Sequence, residues 1–454
     1  MTGLSSIYTA LSGMSTQRKV MDVTAHNIAN ASTPGFHRQR VDLRAVGGAT
    51  PGVFAGTGPG TYGVDVADVS RSYDALLESR SVREEGGRSA TSLASATLDQ
   101  LQATMPEPSA TGLASQLDAF WGTWRDVANQ PDSLAARTQL LANANSLTSS
   151  LHATAADVTA LATSAKTEVA LLATSVNGIA DRLATLNKAM LADPTALDLL
   201  DQRDQAVTQL AKLTGAVARP SGGNQIDVYI GGRAIVSSAQ SYKLDGAGGT
   251  LRWVSDNQAV NTPSGEAASL AATIADVVPR YTSALDTVAA NLVSSVNALH
   301  TTGYDQTGTT GRQFFDPTAV TASTITLSTD VAGTPANIAA GAPVLPGSVA
   351  PGPLDGEQAR AIAALAEAAT GPDSTYRAMI SGLAVEAGAA THRADLQAQV
   401  ADSARQQADS VGAVSIDEEM ANLTAAQRAF EASARVMTAV NDMLGFLIER
   451  TAVH

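Results

Sequence analysis

Cysteine is absent from this sequence of 454 residues, so the protein has no disulfide, no thiolate metal ligand and no cysteine nucleophile. Aromatic residues are also scarce, at 4%, whereas apolar residues together reach 44%. This apolar content is mostly Ala, Val and Leu, which favours contacts between helices over the core of a large β-sandwich. No apolar run reaches the roughly 18 residues that a membrane span needs, and the N-terminal residues do not resemble a cleaved signal peptide. We therefore expect a mainly helical protein that does not insert into a membrane.

Basic residues are fewer than acidic residues: the sequence has 29 Lys and Arg and 43 Asp and Glu, so its formal net charge is -14. A nucleic acid would have to be bound by a local basic patch against this overall field, and no such patch is apparent. The 6 histidines are scattered, with no pair at the spacing of a zinc site. The sequence accordingly predicts no nucleic-acid partner, no metal site and no cofactor.

Near the N-terminus, apolar residues recur at alternating steps of three and four, which is the heptad pattern of an amphipathic helix. The apolar members of this N-terminal stripe are Leu4, Ile7, Leu11, Met14, Met21, Ala25 and Ile28, and Arg18 interrupts it. The helix should end near Asn30, because Ala-Ser-Thr-Pro-Gly follows and Pro34-Gly35 suits the central positions of a type II turn.

The C-terminal end repeats this heptad pattern. The C-terminal stripe consists of Ile416, Met420, Leu423, Phe430, Ala434, Met437, Leu444 and Ile448, with polar interruptions at Gln427 and Asn441. Ser415 and Glu418 read as a capping box at the start of the helix, in which the Glu418 side chain reaches back to the preceding backbone. Periodicity alone leaves two alternatives open: each terminal helix joins an ordinary bundle, or the two belong to an intermolecular coiled-coil layer.

Between the termini, the composition is first helical, then strand-forming, then helical again. Helices are expected at about 89–104, 112–129, 133–192, 197–213, 265–300 and 355–411, with a kink at Pro279. Strands are expected at 226–230, 234–236, 242–244, 251–254 and 324–327, and a Pro- and Gly-rich loop at 341–353. We predict a mainly α fold in which a β-rich domain is inserted into a long-helix bundle built from both ends of the chain.

This order of elements predicts a nested division of the chain. The predicted parts are 1–35 as the N-terminal amphipathic helix, 36–215 as the first part of the bundle, 216–353 as the inserted strand-rich outer domain, 354–414 as the second part of the bundle, and 415–454 as the C-terminal amphipathic helix.

Two acidic clusters are the candidates for catalysis, since paired carboxylates support glycoside hydrolysis when one cleft holds them. Glu418 and Glu419 are adjacent on a helix and diverge by about 100°, so they should not face one substrate. Asp201, Arg203 and Asp204 are interpreted as ion pairs on a helix surface. No Gly-x-Ser-x-Gly motif of a serine hydrolase is present. The residues therefore give no positive sign of an enzyme.

The two ends of the chain together resemble the axial proteins of the bacterial flagellum, which comprise rod, hook and hook-associated proteins. At the N-terminus the resemblance lies in Ala10–Gly13, in Asp22–Asn30 and in Thr33–Phe36, where Phe36 replaces the commoner Tyr. The motif residues are Asn27, Asn30, Thr33, Pro34 and Gly35. At the C-terminus it lies in Asp417–Leu423 and Gln427–Ala434. Both signatures at the extremes of one chain make the resemblance specific.

Within that family, Leu113–Phe120, Asn129–Ser133 and Asp198–Asp204 resemble the members at the junction between hook and filament. The resemblance implies a structural adaptor that forms a homo-oligomeric ring at the hook tip, between the hook protein and the next hook-associated protein. It implies that the paired terminal helices line an inner coiled-coil layer of this assembly and that the strand-rich domain faces outward. It also implies export through the flagellar type III pathway to an extracellular position. Another axial component, such as a distal rod or hook-related protein, is the alternative. A peptidoglycan-cleaving enzyme is the rival from another class, and it would need a cleft with convergent acids.

The end of the C-terminal stripe would be exposed before assembly. The resemblance implies a cytoplasmic export chaperone that covers such a surface. The candidate contact residues are Val440, Met443, Leu444, Leu447 and Ile448.

Overall fold

The structure, a computed structural model, describes residues 2–46, 63–343 and 352–451, and the side chains of 2–5 and 451 lie outside that description. The α-helices in these ranges are α1 Thr2–Asn30, α2 Ala75–Thr104, α3 Leu113–Asn129, α4 Leu134–Ala192, α5 Leu197–Thr214, α6 Glu266–Ala272, α7 Val278–His300, α8 Glu357–Ala363, α9 Pro372–Gly412 and α10 Ile416–Thr451. The strands are β1 Gln39–Val46, β2 Gly63–Arg71, β3 Val217–Gly222, β4 Gln225–Ile230, β5 Arg233–Ser237, β6 Gln240–Ser241, β7 Leu244–Asp245 and β8 Arg252–Trp253. The fold is mainly helical with a small β region, as the sequence predicts.

The helix boundaries follow the local signals in the sequence. α1 ends at Asn30, and the backbone N–H of Phe36 bonds to the carbonyl of Thr33, closing a turn in which Gly35 has φ +72°. A positive φ at the third position of a turn is the type II geometry that favours glycine. The predicted turn at Pro34-Gly35 is therefore confirmed.

Two predicted helices are interrupted in the structure. The helix expected over 355–411 is divided into α8, a 3-10 turn at Ala364–Glu367 and α9, because Pro372 starts a new helix and disfavours helical geometry in the residue before it. The kink expected at Pro279 appears one turn earlier as a π-helical segment, Thr273–Val277. Since proline has no N–H, it leaves a carbonyl of the preceding turn without its helical donor.

The strand predictions are partly right. β4 and β5 pair through the Gly231-Gly232 turn, as predicted, in a sheet of order β3-β4-β5-β6. The prediction of a strand at 324–327 is wrong, since Leu327 makes only a single β-bridge, to Phe315. The antiparallel strands β1 and β2 lie within the part expected to be helical. They were missed because Gln39 is the one buried residue on these two strands, so their sequences give little apolar alternation. Residues 344–351 of the expected loop lie outside the described residues.

Two compact units divide the chain differently from the predicted nesting. The terminal unit comprises the described residues of Met1–Gly86, Asn177–Tyr242 and Ala398–His454, and the central unit those of Gly87–Val176 and Lys243–Gln397. The sheet of β3 to β6 therefore belongs with the termini rather than with a separate domain. Asn187, near the end of α4, explains this, because its buried amide donates to the carbonyl of Ile226 at 2.7 Å and accepts from its N–H at 3.2 Å.

Each unit has its own core. In the terminal unit, buried apolar side chains come from the end of α4, from α5 and from the small sheet: Leu183, Met190, Leu210, Val228 and Ile235. In the central unit, the predicted helical face of Leu113, Leu117, Phe120, Trp124 and Val127 is buried, which confirms its assignment to the core. Phe314 and Phe315 join that core, and an aromatic cluster forms around Phe120.

Candidate functional site at the joint of the two chain ends

The terminal helices α1 and α10 pack against each other in antiparallel orientation. Asn27 near the end of α1 bonds to Glu419 at the start of α10, and a Cβ placed on Gly13 would lie 3.0 Å from the hydroxyl of Ser433. In an antiparallel helix pair, the numbers of facing residues add up to a constant value. The two contacts share this value, so the helices keep one register between them. The two chain ends, with more than 380 residues between them, thus form one helix pair.

The predicted stripes are only partly covered by this pairing. The half-buried members are Ile7, Met14, Met21, Ile28, Leu423, Phe430, Ala434, Met437 and Leu444. The exposed members are Leu11, Ala25, Ile416, Met420 and Ile448, together with the polar Arg18, Gln427 and Asn441. Leu4 lies among the side chains outside the description. On α1 the fully buried positions are instead small or polar, namely Ala10, Thr16, Val23, Thr24 and Asn27. Because most of these residues have low hydrophobicity, the apolar pattern of the sequence did not indicate that this face of α1 is buried.

Asn27 holds the end of α1 against the chain that follows it and against α10. Its amide nitrogen donates to the carbonyl of Gln39 at 2.8 Å and to the Glu419 carboxylate at 2.9 Å. Its amide oxygen accepts from the N–H of Gln39 at 2.9 Å. Asn27 is 1% exposed and Glu419 2%. All three bonds are buried, so loss of either side chain would leave unsatisfied polar groups in the interior.

Arg38 neutralises the two adjacent carboxylates at the start of α10. Its Nε donates to Glu419 at 2.8 Å and its Nη1 to Glu418 at 3.1 Å, while its backbone N–H bonds to the carbonyl of Gly412. The prediction that Glu418 reaches back as part of a capping box is therefore corrected. The Glu418 N–H lies 3.5 Å from the Ser415 hydroxyl, but its carboxylate turns to Arg38, which offers a charge-assisted partner.

The other motif residues shape the turn that follows α1. The amide of Asn30 donates to the carbonyl of His26, and its oxygen accepts from the Thr33 hydroxyl at 3.2 Å. The side-chain amide of Gln205 on α5 donates to the carbonyl of Pro34. A Cβ on Gly35 would lie 2.7 Å from Gln205, so both the positive φ and this close approach require glycine.

A buried charge cluster lies directly behind this turn. The two ring nitrogens of His37 lie 2.8 Å from Asp201 of α5 and 3.2 Å from Glu78 of α2. Arg71, at the end of β2, donates to Asp201 at 2.5 Å and to Asp204 at 3.1 Å. The interpretation of Asp201, Arg203 and Asp204 as ion pairs on a helix surface is thus wrong for Asp201 and Arg203, which are buried. Their partners include groups from distant segments that cover the helix.

Burial and hydrogen bonding oppose each other at His37. Burial favours the neutral ring, but hydrogen bonds to Asp201 and Glu78 outweigh it and raise the pKa of His37 to about 9. Burial, together with the nearby Asp204 and Glu78 carboxylates, raises the pKa of the adjacent Tyr73 phenol to about 12. At neutral pH the cluster therefore holds an imidazolium and a neutral phenol.

We define the terminal joint as Asn27, His37, Arg38, Gln39, Arg71, Glu78, Asp201, Asp204 and Glu419. Sequence reasoning singled out the motif residue Asn27 and the acids Asp201, Asp204 and Glu419. It missed His37, Arg38 and Gln39, although they directly follow the Thr-Pro-Gly motif, and it had no signal for Arg71 or Glu78. A cavity of about 660 Å³ in the terminal unit borders the joint and is lined by the 31–37 turn, α2, α5, β3 and the end of α9.

Each acid of the joint is paired with Arg or His. No group of three metal-binding side chains occurs among the described residues. In the same ranges, no helix combines the length and the apolarity needed to cross a bilayer. The arrangement is suited to holding helices together.

The candidate chaperone contacts lie at the far end of α10. Met443, Leu447 and Ile448 are exposed, whereas Val440 and Leu444 are half-buried on the side that faces α1. Exposed Phe446 extends the same surface.

Known protein families match the middle of the chain and each of its ends. Residues 98–315 match the family described as flagellar hook-associated protein FlgK helical domain. Residues 7–37 match flagella basal body rod protein, and residues 405–450 match flagellar basal body rod FlgEFG protein C-terminal. These matches define the class: an axial protein of the bacterial flagellum.

The relatives specify the family further. Flagellar hook-associated protein 1 of Bacillus subtilis is 25% identical, over 98% of this chain and 98% of that protein. The protein of the same name from Salmonella typhimurium is 24% identical over 67% of this chain, and the match spans 58% of its own length. The flagellar hook junction protein FlgK from Burkholderia pseudomallei shares the fold, with a TM-score of 0.64 and 15% identity over 74% of this chain and 100% of that one. Along nearly its whole length, the chain is therefore similar to flagellar hook-associated protein 1.

Proposed function

We propose that this protein is a structural adaptor of the bacterial flagellum that joins the hook to the filament. The observation that carries the proposal is the correspondence with hook-associated protein 1 along nearly the whole length of both chains. The terminal joint supports it, because family motifs at both ends of the chain meet there through buried hydrogen bonds. The role is mechanical rather than enzymatic.

The helix pair and the joint suggest how the adaptor assembles. Neighbouring copies form a ring at the hook tip, and the stripe positions left exposed by the pairing of α1 and α10, such as Leu11 and Met420, contact the next copy. The joint ties this inner layer to α5 through Asp201, so a force on the terminal helices passes into the body of the terminal unit. The ring lies between the hook protein and the next hook-associated protein, and its subunits are monomers before assembly.

Export precedes assembly. The subunit passes through the flagellar type III pathway and takes an extracellular position. Before export, a cytoplasmic chaperone covers Val440, Met443, Leu444, Leu447 and Ile448. The exposed apolar side chains at the end of α10 support this, since such a surface is an aggregation hazard in a free subunit. Titration of a purified chaperone against Leu444→Asp/Ile448→Asp should show weakened binding, with Ile416→Asp at the other end of α10 as the control. Equal affinity for wild type and the double variant would contradict the assignment.

Gene deletion tests the adaptor role. We expect cells with intact hooks, no filaments and filament subunits in the medium, as seen by electron microscopy and by analysis of the culture supernatant. Complementation with the wild-type gene should restore filaments. Loss of hooks would indicate the alternative, a distal rod or hook-related component, and normal filaments would refute both.

A further inference from the structure

His37 has acceptors at both ring nitrogens. Nδ1 faces an oxygen of Asp201 at 2.8 Å and Nε2 faces an oxygen of Glu78 at 3.2 Å, and the backbone N–H of His37 donates to the second oxygen of Asp201 at 3.2 Å. Ionised carboxylates only accept hydrogen bonds, so a neutral ring could satisfy one of them but not both. With both carboxylates ionised, only the doubly protonated imidazolium can donate to both of them.

The two carboxylates belong to different helices. Asp201 lies on α5 and Glu78 on α2, while a Cβ on Gly412 at the end of α9 would approach the His37 ring to 2.7 Å. The ring therefore connects α5 and α2 and lies against α9 at the point where the chain leaves the terminal helix pair. We propose that His37 is a charged latch of the terminal joint, and that removing its proton loosens the attachment of the terminal helices to α2 and α5.

The other charged groups around the ring decide the pH range of this latch. Arg71 from β2 shares Asp201 and opposes the charge on His37, whereas Asp204 of α5 pairs with Arg71. Asp409 and Arg405 of α9 line the same cavity, and Arg38 is directed to Glu418 and Glu419. Tyr73 packs edge-on to the ring at 5.4 Å, and its phenol keeps its proton until about pH 12. Tyr73 therefore stays neutral over the whole range in which His37 titrates, and below about pH 9 the imidazolium is the proton donor that links Asp201 to Glu78.

The sign of the effect follows from linkage. The folded pKa of His37, about 9, lies above the unfolded value of 6.5. The charged latch therefore contributes its full stability below about pH 6.5 and loses it as the pH rises through 9. A shift of this size corresponds to at most about a 300-fold change in the opening equilibrium of the joint. The bordering cavity gives water a route to Glu78 and His37.

A titration of the full-length wild-type protein tests the proton directly. Histidine-selective NMR between pH 5 and 10.5 should show one ring that titrates near 9. The signal is assigned by its loss in His37→Gln or, should that variant not fold, by substituting the other histidines in turn. A His37 ring that titrates near 6.5 would overturn the proposal.

Amide hydrogen exchange tests the loosening. Protection of residues 36–39 and 198–205 should be lower in His37→Gln than in wild type at pH 7, and the two should converge by pH 10. Comparison at equal pH cancels the intrinsic base catalysis of exchange. His26→Gln is the matched control, since His26 also contacts an α5 carboxylate, Asp198 at 3.3 Å, but is exposed. An unchanged difference between wild type and His37→Gln from pH 7 to pH 10 would overturn the latch.

Discussion

The terminal and central units each bury one histidine, and they hold it in opposite protonation states. His37 faces carboxylates at both ring nitrogens and is charged. In the central unit, one ring nitrogen of His300 lies 2.8 Å from the carbonyl of Arg312 and the other accepts from the N–H of Ala339 at 2.9 Å, which requires the neutral ring. Burial lowers the pKa of His300 to about 4. The partners, rather than burial alone, decide the charge.

The difference extends to what holds each unit together. The terminal joint is held by charged and amide side chains with few aromatic contacts, whereas the central unit stacks Phe120, Trp121, Trp124, Phe314 and Phe315 in a fully buried cluster. Charged partners confer directional specificity, and aromatic packing confers stability in proportion to buried area. This suits an adaptor whose termini must adopt one register and whose centre must only remain folded.

The largest expected effect lies in the aromatic cluster. Phe314→Ala should destabilise the central unit by about 3–5 kcal/mol, because it removes a fully buried ring that contacts Phe120 and Trp124. Urea unfolding monitored by tryptophan emission measures it, since all three tryptophans lie in this unit. Val385→Ala, on the exposed face of α9, is the control. Equal midpoints for the two variants would contradict the role of the cluster.

The charged joint should respond to loss of a single carboxylate. Asp201→Asn keeps the shape but leaves Arg71 and His37 without their shared anion, and should destabilise the joint by about 2–3 kcal/mol. Amide exchange of residues 36–39 gives the opening free energy. Asp198→Asn, on the exposed side of the same helix, should change it little, and a similar loss in both variants would show that the effect is not specific to the buried pair.

The neutral histidine predicts an acid response of the central unit. The folded pKa of His300, about 4, lies below the unfolded value of 6.5, so the unfolded chain binds the proton first and stability falls as the pH drops below 6.5. Between pH 8 and pH 5 this should amount to about 2 kcal/mol in urea unfolding followed by tryptophan emission. His392→Gln should not alter the response. Constant stability over this range would contradict a neutral His300.

The sequence allowed most helices of both units to be predicted, but only some residues of the terminal joint. The helix ends near Asn30, Asn129 and Thr214 could be predicted because turn signals and helical periodicity are local. The charge cluster could not, because His37 and Asp201 are 164 positions apart and nothing local indicates that they meet. The buried face of α1 was missed for another reason: it includes Ala10, Thr24 and Asn27, which are small or polar and so give little apolar signal.

A smaller effect is expected at the motif turn. Gly35→Ala should destabilise the terminal unit by about 1–2 kcal/mol, because alanine is strained at φ +72° and its Cβ would displace Gln205. Gly178→Ala is the matched control with the opposite sign, since this helical glycine of α4 has open space around it and alanine favours helix. Amide exchange in the terminal unit measures both. Equal effects in the two variants would rule out a special role for the turn.

The smallest expected effect on stability is at the exposed positions of the N-terminal stripe, although a change there should abolish assembly of the ring. Leu11 on α1 is 50% exposed, so Leu11→Asp should change the stability of the monomer by less than about 1 kcal/mol. In the proposed ring the same position is covered by a neighbouring copy, and a buried unpaired carboxylate there would prevent incorporation. Cells carrying Leu11→Asp should export the subunit into the medium yet form hooks without filaments. Ser15→Asp, exposed on the same helix but outside the stripe, should retain filaments. If Leu11→Asp also retains them, the exposed stripe is not the contact between copies, and the inner layer must be formed by the helix pair within each subunit alone.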